Sequence, residues 1–461
     1  MTGLEAQSAI AAPPDAIPTP LRGRLYAALQ KLRGYPVADM LAQLREWEQL
    51  PKDQFEQLHA QRLQAILELA RGVVPLYAAE PWRSALSAHG AGLEVWPVLE
   101  QDTLRERYAE LVSKRPVKAL LTRKTSGTTG KPKKVWVTRD TDAWDMANRY
   151  RGMAWHGIPV GVRSLRLMGK PRWPRDWLLD RRDIPSLDSD EAVDEVIEFA
   201  QATRTPLIIG TPSALYDLAR QLRRRRLGQP LVAIARSGGE QLFAFQRKEI
   251  EQYVGHRVID SYGCTETGAV AGECPAGLMH VYADYVHLEV FQGDRPVPAG
   301  EFGDLVVTVL NNPAMPLVRY RVGDRGRLST ERCRCGLPQP VLLDLQARSA
   351  DVFAGPDGAS RHGSELVVRL GRLYDEPAAE GVRQVQFVQS DPHQWQVLVE
   401  APALQASGED GDSARPVIAD LLGGIVREVF GSAVQIEARF VSSLPRQAGK
   451  FPYYRAGTLA V

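Results

Sequence analysis

The chain is poor in cysteine and lacks long apolar runs. Its 461 residues include four cysteines, and all of them lie in one middle section. This distribution argues against a disulfide framework and favours a reducing, cytoplasmic compartment. No apolar run approaches the roughly 20 residues that a membrane-spanning helix requires, so we expect no membrane span.

An excess of charge of either sign is also missing. Lysine and arginine number 57 against 55 aspartate and glutamate residues, which leaves a net charge of +2. This balance gives no electrostatic reason to expect a nucleic acid or a membrane surface as the main partner. The hydrophobic content of 44% and the charged content of 24% are those of an ordinary globular protein.

The first 20 residues lack the features of a secretory signal. They have no basic start and no continuous apolar core, and they contain four prolines. This composition predicts a disordered arm over residues 1–20. The whole chain is long enough for about three domains.

Apolar strands and amphipathic helices alternate through the middle of the chain. This alternation predicts layered α/β structure with mostly parallel strands. Helices are also predicted earlier, over residues 21–34, 53–73 and 101–112. Asp140 is placed to cap a helix that runs to Trp155. The alternating segments are strands 164–168, 206–210, 231–235 and 257–259 and helices 190–202, 212–226 and 240–253.

The composition becomes β-rich from about His280, and a smaller tail of helices and strands begins near Arg348. We therefore predict an α/β chain of the multi-domain α+β kind. Residues 21–347 form a large domain with layered α/β sheets and a β-rich subdomain. Residues 348–461 form a small, mobile α+β domain.

One loop has the composition of a phosphate-binding segment. It reads Thr125-Ser126-Gly127-Thr128-Thr129-Gly130-Lys131-Pro132-Lys133-Lys134. Glycines and hydroxyl side chains allow a backbone to close around a polyphosphate, and lysines add positive charge. A Walker A loop needs glycine at position 125 and Ser or Thr at position 132, where this chain has Thr and Pro. The alternative to a phosphate loop is a solvated Gly/Thr/Lys turn.

A second motif follows the predicted strand 257–259. It reads Asp260-Ser261-Tyr262-Gly263-Cys264-Thr265-Glu266-Thr267-Gly268. Ligands of α/β sheets bind at the carboxyl ends of strands, where this motif places a ring, a hydroxyl and a carboxylate. Tyr262 is suited to stack on adenine, Thr265 to contact an α-phosphate and Glu266 to hold Mg²⁺. A capped turn accounts for the glycines but not for the Thr-Glu pair.

Three further residues carry weaker signals. Asp324 follows a predicted strand and is suited to accept both hydroxyls of a ribose. An exposed aspartate in a turn would show the same sequence pattern. Arg348 lies at the predicted domain junction, within reach of ribose or phosphate. Lys450 follows a glycine-containing loop, Leu444-Pro445-Arg446-Gln447-Ala448-Gly449, although a lone lysine near a terminus is usually solvated.

Together, these stretches strongly resemble the adenylate-forming superfamily of acyl-CoA synthetases, luciferases and peptide-synthetase adenylation domains. TSGTTGKPK, SYGCTETG, PLVRYRVGD and LPRQAGK look most like the phenylacetate-CoA ligase branch. The resemblance implies a nucleotide site in which Asp260, Ser261, Gly263 and Arg348 also take part. It further implies that Thr125 to Lys131 hold the β- and γ-phosphates, Ser237, Gly238, Gly239 and Glu240 line the adenine and acyl pockets, Tyr262 packs on adenine, Glu266 binds Mg²⁺, Asp324 binds ribose and Lys450 bridges carboxylate and α-phosphate.

The implied reaction is Mg-ATP-dependent activation of a carboxylic acid, of aryl or arylacetic type, as an acyl-adenylate. Pyrophosphate leaves, and the acyl group passes to CoA after the C-terminal domain rotates. Related ligases have Gly-Arg-Ser-Asp-Asp at the hinge, whereas this chain has Ala347-Arg348-Ser349-Ala350-Asp351. Adenylation is therefore better supported than transfer to CoA, and a carrier protein or an amine is the alternative acceptor.

A reading of another class is a nucleotide-binding regulator that has lost catalysis. The presence of both Lys450 and Glu266 argues against it. The sequence leaves the oligomeric state open, and a homodimer is one of the states it allows.

Four residues form a candidate structural zinc site. Cys274, His280, Cys333 and Cys335 supply three thiolates and one imidazole, which is a sufficient tetrahedral set. Their spacing matches no standard zinc-finger pattern, and free buried thiols are the alternative. Some members of the resembled branch have similar Cys and His positions, which favours zinc. Cys264 lies inside the nucleotide motif and is left out of the set.

Overall fold

The computed structural model describes residues 20–88, 92–117, 120–124, 133–167, 175–187, 189–346, 352–402, 404, 409–444 and 451–457. Short 3₁₀ helices occur in this part of the chain at Pro75–Ala78, Leu93–Val95 and Pro377–Ala379. Its α-helices are α1 (Leu21–Leu32), α2 (Val37–Glu48), α3 (Lys52–Val73), α4 (Trp82–Ala88), α5 (Gln101–Glu106), α6 (Tyr108–Leu111), α7 (Arg139–Ala154), α8 (Arg175–Leu178), α9 (Asp190–Thr203), α10 (Pro212–Arg224), α11 (Ala244–Tyr253), α12 (Ser364–Tyr374) and α13 (Glu409–Phe430).

The strands form two larger sheets, a four-stranded sheet and two hairpins. Together with the helices they confirm the predicted mixed α/β fold class. The strands are β1 (Leu120–Lys124), β2 (Lys134–Thr138), β3 (Ser164–Leu167), β4 (Arg181–Ile184), β5 (Leu207–Gly210), β6 (Val232–Ser237), β7 (Gly255–Ile259), β8 (Ser261–Cys264), β9 (Gly268–Glu273), β10 (Met279–Val281), β11 (Val286–Gln292), β12 (Arg295–Pro296), β13 (Gly303–Val309), β14 (Tyr320–Leu328), β15 (Val341–Gln346), β16 (Val352–Ala354), β17 (Ser360–His362), β18 (Gln384–Asp391), β19 (Gln394–Glu400), β20 (Gln435–Val441) and β21 (Tyr454–Ala456).

The chain divides into two compact units. The first contains Met1–Gly210, Leu231–Gly239 and Gly255–Leu345, and the second contains Thr211–Pro230, Glu240–Val254 and Gln346–Val461. The predicted boundary between residues 347 and 348 falls in a segment outside the described residues. The domain boundaries therefore stay a prediction.

The first unit contains the predicted parallel sheet, with strand order β4-β3-β5-β6-β7. Its interior strands are short and apolar; Leu207 and Ile208 of β5 are buried, as expected for a sheet covered on both faces. Parallel strands end at the same edge, so the residues that follow β6 and β7 lie at one edge of the sheet. Ser237 ends β6, and Asp260 directly follows β7.

An eight-stranded antiparallel sheet is the second large element of the first unit. Its order is β12-β11-β13-β14-β15-β10-β9-β8. We predicted β-rich structure from about His280, whereas the sheet begins earlier, at Ser261 on the edge strand β8. Pairing of β8 with β9 supplies the hydrogen bonds that make the motif after β7 a strand. Strand β8 continues almost directly from β7, so the chain passes from one sheet to the other at Asp260.

Two helix predictions need correction. The cap of α7 is Thr138 rather than Asp140, because Thr138 Oγ1 accepts the backbone N–H of Thr141 at 3.0 Å. The predicted helix 101–112 is two short helices, since Arg107 leaves the helical conformation at φ −112° and ψ 24°.

The core of the first unit includes a buried ion pair. The Arg151 guanidinium on α7 donates to both carboxylate oxygens of Asp284, at 2.5 and 2.9 Å. It also lies 4.6 Å from the ring centroid of Tyr282. Bidentate geometry of this kind is what a desolvated arginine requires. The pair fixes α7 against the turn before β11.

The second unit is built on a four-stranded sheet with order β20-β19-β18-β21. Within this unit, residues of the 211–230 and 240–254 segments bond to the C-terminal part of the chain. The Arg220 guanidinium on α10 donates to the carbonyl oxygen of Val382, and Gln246 Nε2 donates to Tyr453 Oη at 2.8 Å. No helix among the described residues is long and apolar enough to cross a lipid bilayer.

Candidate active site

A buried carboxylate with a lysine partner lies at the centre of the site. Glu266 occupies the turn between β8 and β9, and its side chain is 6% exposed. Its Oε1 atom lies 2.6 Å from Lys133 Nζ and accepts the Tyr320 hydroxyl at 3.0 Å. Lys133 Nζ also donates to Tyr320 Oη at 3.1 Å and to Gln101 Oε1 at 2.8 Å. Lys133 and Tyr320 therefore bind the carboxylate directly, and Gln101 holds Lys133 beside it.

The electrostatics of this group keep Glu266 charged. Burial raises the pKa of Glu266, but the Lys133 charge and hydrogen bonds from Lys133 and Tyr320 outweigh it, so the pKa lies below its ordinary value. The same contacts act in the opposite direction on Tyr320. Burial and the Glu266 charge raise the pKa of Tyr320 far above its ordinary value, so its hydroxyl stays a donor.

The turn that carries Glu266 is held by an aspartate from α7. Asp145 Oδ1 accepts the backbone N–H of Ala269 at 2.7 Å, and Arg123 binds Asp145 Oδ2 at 3.0 Å. Gly268 adopts φ +79°, and a Cβ atom there would lie 2.9 Å from Asp145 Oδ1. The glycine is therefore required both by its backbone conformation and by the close approach of Asp145.

Tyr262 and Asp324 meet across the antiparallel sheet. The Tyr262 hydroxyl donates to Asp324 Oδ2 at 2.8 Å. Burial and the Asp324 charge raise the pKa of Tyr262 well above its ordinary value. We predicted that Asp324 follows a strand, whereas it lies inside β14, which continues to Leu328. Continued pairing of β14 with β13 through Arg325 and Gly326 accounts for the difference.

The ends of β6 and β7 are packed tightly against each other. Ser261 Oγ donates to the Ser237 carbonyl oxygen at 2.9 Å, and a Cβ atom on Gly238 would lie 2.5 Å from Ser261 Oγ. The backbone N–H of Asp260 donates to Glu273 Oε2 at 2.8 Å. Arg236, the residue before Ser237, donates to Ser261 Oγ at 3.4 Å.

Not every predicted site residue joins this group. Glu240 belongs to the second unit, where its carboxylate accepts the backbone N–H groups of Ser213 at 3.1 Å and Phe451 at 3.3 Å. The predicted phosphate loop Thr125 to Lys131, Arg348 and Lys450 lie outside the described residues. Strands β1 and β2, which flank that loop, pair in register from Leu120 with Thr138 to Lys124 with Lys134.

The structure adds three residues that sequence reasoning did not assign to the site, Tyr320, Gln101 and Arg236, and it places Lys133 of the predicted phosphate-binding segment beside Glu266. Lys133 and Tyr320 lie within motifs that the sequence analysis quoted, so their positions beside Glu266 had a signal in the sequence. Gln101 had none, because its contact with Lys133 joins residues 32 positions apart. For Arg236, the only signal in the sequence was its position directly before the Ser-Gly-Gly-Glu stretch.

The four predicted zinc ligands come together. Their donor atoms all lie within 4.8 Å of one another, and three of the four residues are buried. Cys274 Sγ and Cys333 Sγ are 3.7 Å apart, and Cys335 Sγ and His280 Nε2 are 3.3 Å apart. The other ring nitrogen of His280 lies 3.0 Å from the Gln339 carbonyl oxygen, which fixes the imidazole with Nε2 towards the thiols.

Comparison with known proteins gives consistent results. No family model matches the chain. The phenylacetate-coenzyme A ligase of Thermus thermophilus is 28% identical over 333 residues, which cover 67% of this chain and 73% of that ligase. The ligase of the same name from Pseudomonas putida is 24% identical over 438 residues, 86% of this chain and 93% of the ligase. In fold, the chain resembles a 2-hydroxyisobutyryl-CoA ligase solved in the postadenylation state with 2-HIB-AMP; the TM-score is 0.70 at 20% identity, covering 89% of this chain and 91% of that structure.

Proposed function

We propose that this chain, a relative of the phenylacetate-CoA ligases with the fold of adenylate-forming enzymes, is an AMP-forming acid-thiol ligase. It activates a carboxylic acid with ATP to form an acyl-adenylate and pyrophosphate, and then transfers the acyl group to CoA. The observation that carries this proposal is the ionised, buried Glu266 beside Tyr262 and Asp324. A purely structural turn has no need of a charged carboxylate in such a place.

We assign the nucleotide contacts to residues at the sheet edge. The ring of Tyr262 packs against adenine, and Asp324 accepts the ribose hydroxyls. The hydrogen bond from Tyr262 to Asp324 holds the ring and the carboxylate in a fixed relation before the nucleotide arrives. The loop Thr125 to Lys131 contacts the β- and γ-phosphates. Because Tyr262 and Asp324 are fixed in advance, less ordering is needed when the nucleotide binds.

Glu266 fits a magnesium ligand. Mg²⁺ in nucleotide enzymes is bound by one or two carboxylates together with substrate phosphates and waters, and Glu266 is ionised. When bound, the ion supplies positive charge to the phosphate oxygens as pyrophosphate departs. Lys133 holds the Glu266 carboxylate in place and compensates its charge in the nucleotide-free protein. Lys450 neutralises charge between the acid and the α-phosphate.

The acceptor and the cellular setting form part of the proposal. CoA is the first acceptor to test, and the altered hinge residues at positions 347–351 keep a carrier protein or an amine as the alternative. An aryl or arylacetic acid is the substrate class that the related ligases suggest. We place the reaction in the cytoplasm, because none of the four cysteines forms a disulfide.

The test of the proposed function is ATP–pyrophosphate exchange against a panel of aromatic and aliphatic acids. We expect exchange that depends on one class of acid, followed by thioester formation when CoA is added. Adenylation without thioester would point to another acceptor. An absence of acid-dependent exchange across the panel, with ATP still bound, would favour the nucleotide-binding regulator.

We also propose that Cys274, His280, Cys333 and Cys335 bind a structural zinc ion. Tetrahedral coordination with Zn–S bonds of about 2.3 Å places two sulfur ligands about 3.8 Å apart, close to the separation of Cys274 and Cys333. The ligands come from the residue that follows β9, from the middle of β10 and from the segment between β14 and β15. The ion therefore joins these segments of the antiparallel sheet and takes no part in the chemistry.

We expect the purified protein to contain about one equivalent of zinc. The Cys333→Ser, Cys335→Ser double variant should lose the metal and unfold at a lower temperature, since structural zinc contributes directly to folding. Metal analysis and thermal unfolding measure the two effects, with Cys264→Ser as the matched control that keeps the metal. Less than about half an equivalent of zinc in the parent protein would contradict the assignment.

A further inference from the structure

Arg236 is a half-buried cation without an acidic partner among the described residues. It lies one position before the end of β6, and its guanidinium donates a single described hydrogen bond, to the neutral Ser261 Oγ at 3.4 Å. Other arginines of the same unit behave differently. Arg123 and Arg149 both bind Asp145, and Arg166 binds Asp183 at 2.5 Å. Arg236 is thus an exception among the arginines near the sheet edge.

The surroundings increase the positive potential at this position. Burial, together with the charges of Arg149 and Arg181, lowers the pKa of Arg236 to about 10. Tyr282 and Asp260 act in the opposite direction but do not restore the ordinary value. A desolvated guanidinium is stabilised chiefly by an anion or by several acceptors, and the described residues supply one weak acceptor. The missing partner is therefore expected to be negatively charged.

The position of Arg236 indicates which ligand supplies that charge. The residue directly precedes Ser237, Gly238 and Gly239, the stretch that the family resemblance assigns to the walls of the adenine and acyl pockets. Its one hydrogen-bond acceptor, Ser261, is fixed to the same wall through the Ser237 carbonyl oxygen. The residues assigned to the triphosphate, by contrast, belong to the segment between β1 and β2 in the sequence and to the surroundings of Glu266. Adenine is uncharged, so an anionic ligand group at this wall is part of the acid rather than of ATP.

We propose that Arg236 binds a second anionic group on the acid substrate, so that the preferred acid is a dicarboxylic acid or carries an equivalent second negative charge. This inference rests on the proposed function, because it assigns a part of the substrate to the acyl pocket. Arg236 forms a charge-assisted pair with the carboxylate that does not react. The other carboxylate attacks the α-phosphate. Arg236 is then a specificity-determining residue.

The experiment compares acids in matched pairs: 4-carboxyphenylacetate with phenylacetate, and adipate with hexanoate. ATP–pyrophosphate exchange and isothermal titration calorimetry are measured for the parent, Arg236→Met, Arg236→Lys and the control Arg182→Met, an exposed arginine on β4. In at least one pair, we expect the parent to prefer the diacid by about 10- to 100-fold in kcat/KM. Arg236→Met should lose this preference, Arg236→Lys should keep part of it, and Arg182→Met should keep all of it.

Two results would overturn the assignment of Arg236. One is a parent enzyme that prefers the monoacid in both pairs or binds neither diacid. The other is an Arg236→Met variant whose kcat/KM changes equally for both acids of a pair, since an equal change indicates a structural or phosphate-directed role. Calorimetry separates this proposal from the proposed function. Diacid binding that depends on Arg236 in a protein without exchange activity would support the site and contradict adenylation.

Discussion

Lys450→Ala is expected to lower the rate of acyl-adenylate formation by about 100- to 1,000-fold while leaving ATP affinity nearly unchanged. A carboxylate is a poor nucleophile towards an anionic nucleotide, so the transition state depends on positive charge between the two reacting groups. In the proposed mechanism, Lys450 supplies that charge only as the groups approach. Its removal therefore affects kcat more than nucleotide binding.

Three measurements test the role of Lys450. ATP–pyrophosphate exchange reports adenylation, equilibrium binding reports ATP affinity, and supplied acyl-adenylate with CoA reports the second half-reaction. We expect the first to fall and the other two to stay at the parental level. Lys248→Ala, an exposed lysine on α11 in the same unit, is the control. If Lys450→Ala adenylates as fast as the parent, the assignment of the catalytic lysine is wrong.

Glu266→Gln should lower both stability and activity. Glu266 and Lys133 are 6% and 13% exposed, and removal of one partner of a buried pair costs about 3–5 kcal/mol of unfolding free energy. Because the pKa of Glu266 is lower in the folded protein, its stabilisation is complete above the unfolded value and is lost as the pH falls. The parent and the variant should therefore converge in stability under acidic conditions.

A double variant separates the structural and catalytic roles of Glu266. Lys133→Met combined with Glu266→Gln removes both charges and should regain much of the lost stability. Exchange activity should stay about 100-fold below the parent in both the single and the double variant. Denaturant unfolding and exchange at varied Mg²⁺ concentration measure the two effects, with the exposed Glu437→Gln as control. Recovery of activity together with stability would leave Glu266 with a structural role alone.

The sequence predicted those parts of the fold that depend on local patterns. Helix α3 was expected over 53–73 and spans Lys52–Val73, because its apolar residues recur at helical spacing. The parallel sheet followed from the alternation of strands and helices. Strand boundaries that depend on hydrogen bonds to a neighbouring strand were predicted less well. Nothing local indicates that β14 continues through Asp324, since β13 on another part of the chain supplies its hydrogen bonds.

The site shows the same division between local motif and distant partner. The sequence predicted Glu266, Tyr262 and Asp324 through their motifs, but not the hydrogen bond between Tyr262 and Asp324, which joins residues 62 positions apart. Glu240 was predicted by its place after Gly238 and Gly239, and the structure places its carboxylate on backbone N–H groups of the second unit. The roles of Lys450, Arg348 and the loop Thr125 to Lys131 stay predictions.

The discontinuous makeup of the second unit restricts how this protein can be dissected. Within that unit, Arg220, Glu240 and Gln246 form hydrogen bonds with Val382, Phe451 and Tyr453, respectively. The first three residues precede Gln346 in the sequence. A fragment that begins at Gln346 would leave those C-terminal groups without their partners. We expect such a fragment to be recovered as an insoluble or partly folded product. The C-terminal part of this chain is therefore poorly suited to transfer into a chimera unless helices α10 and α11 accompany it.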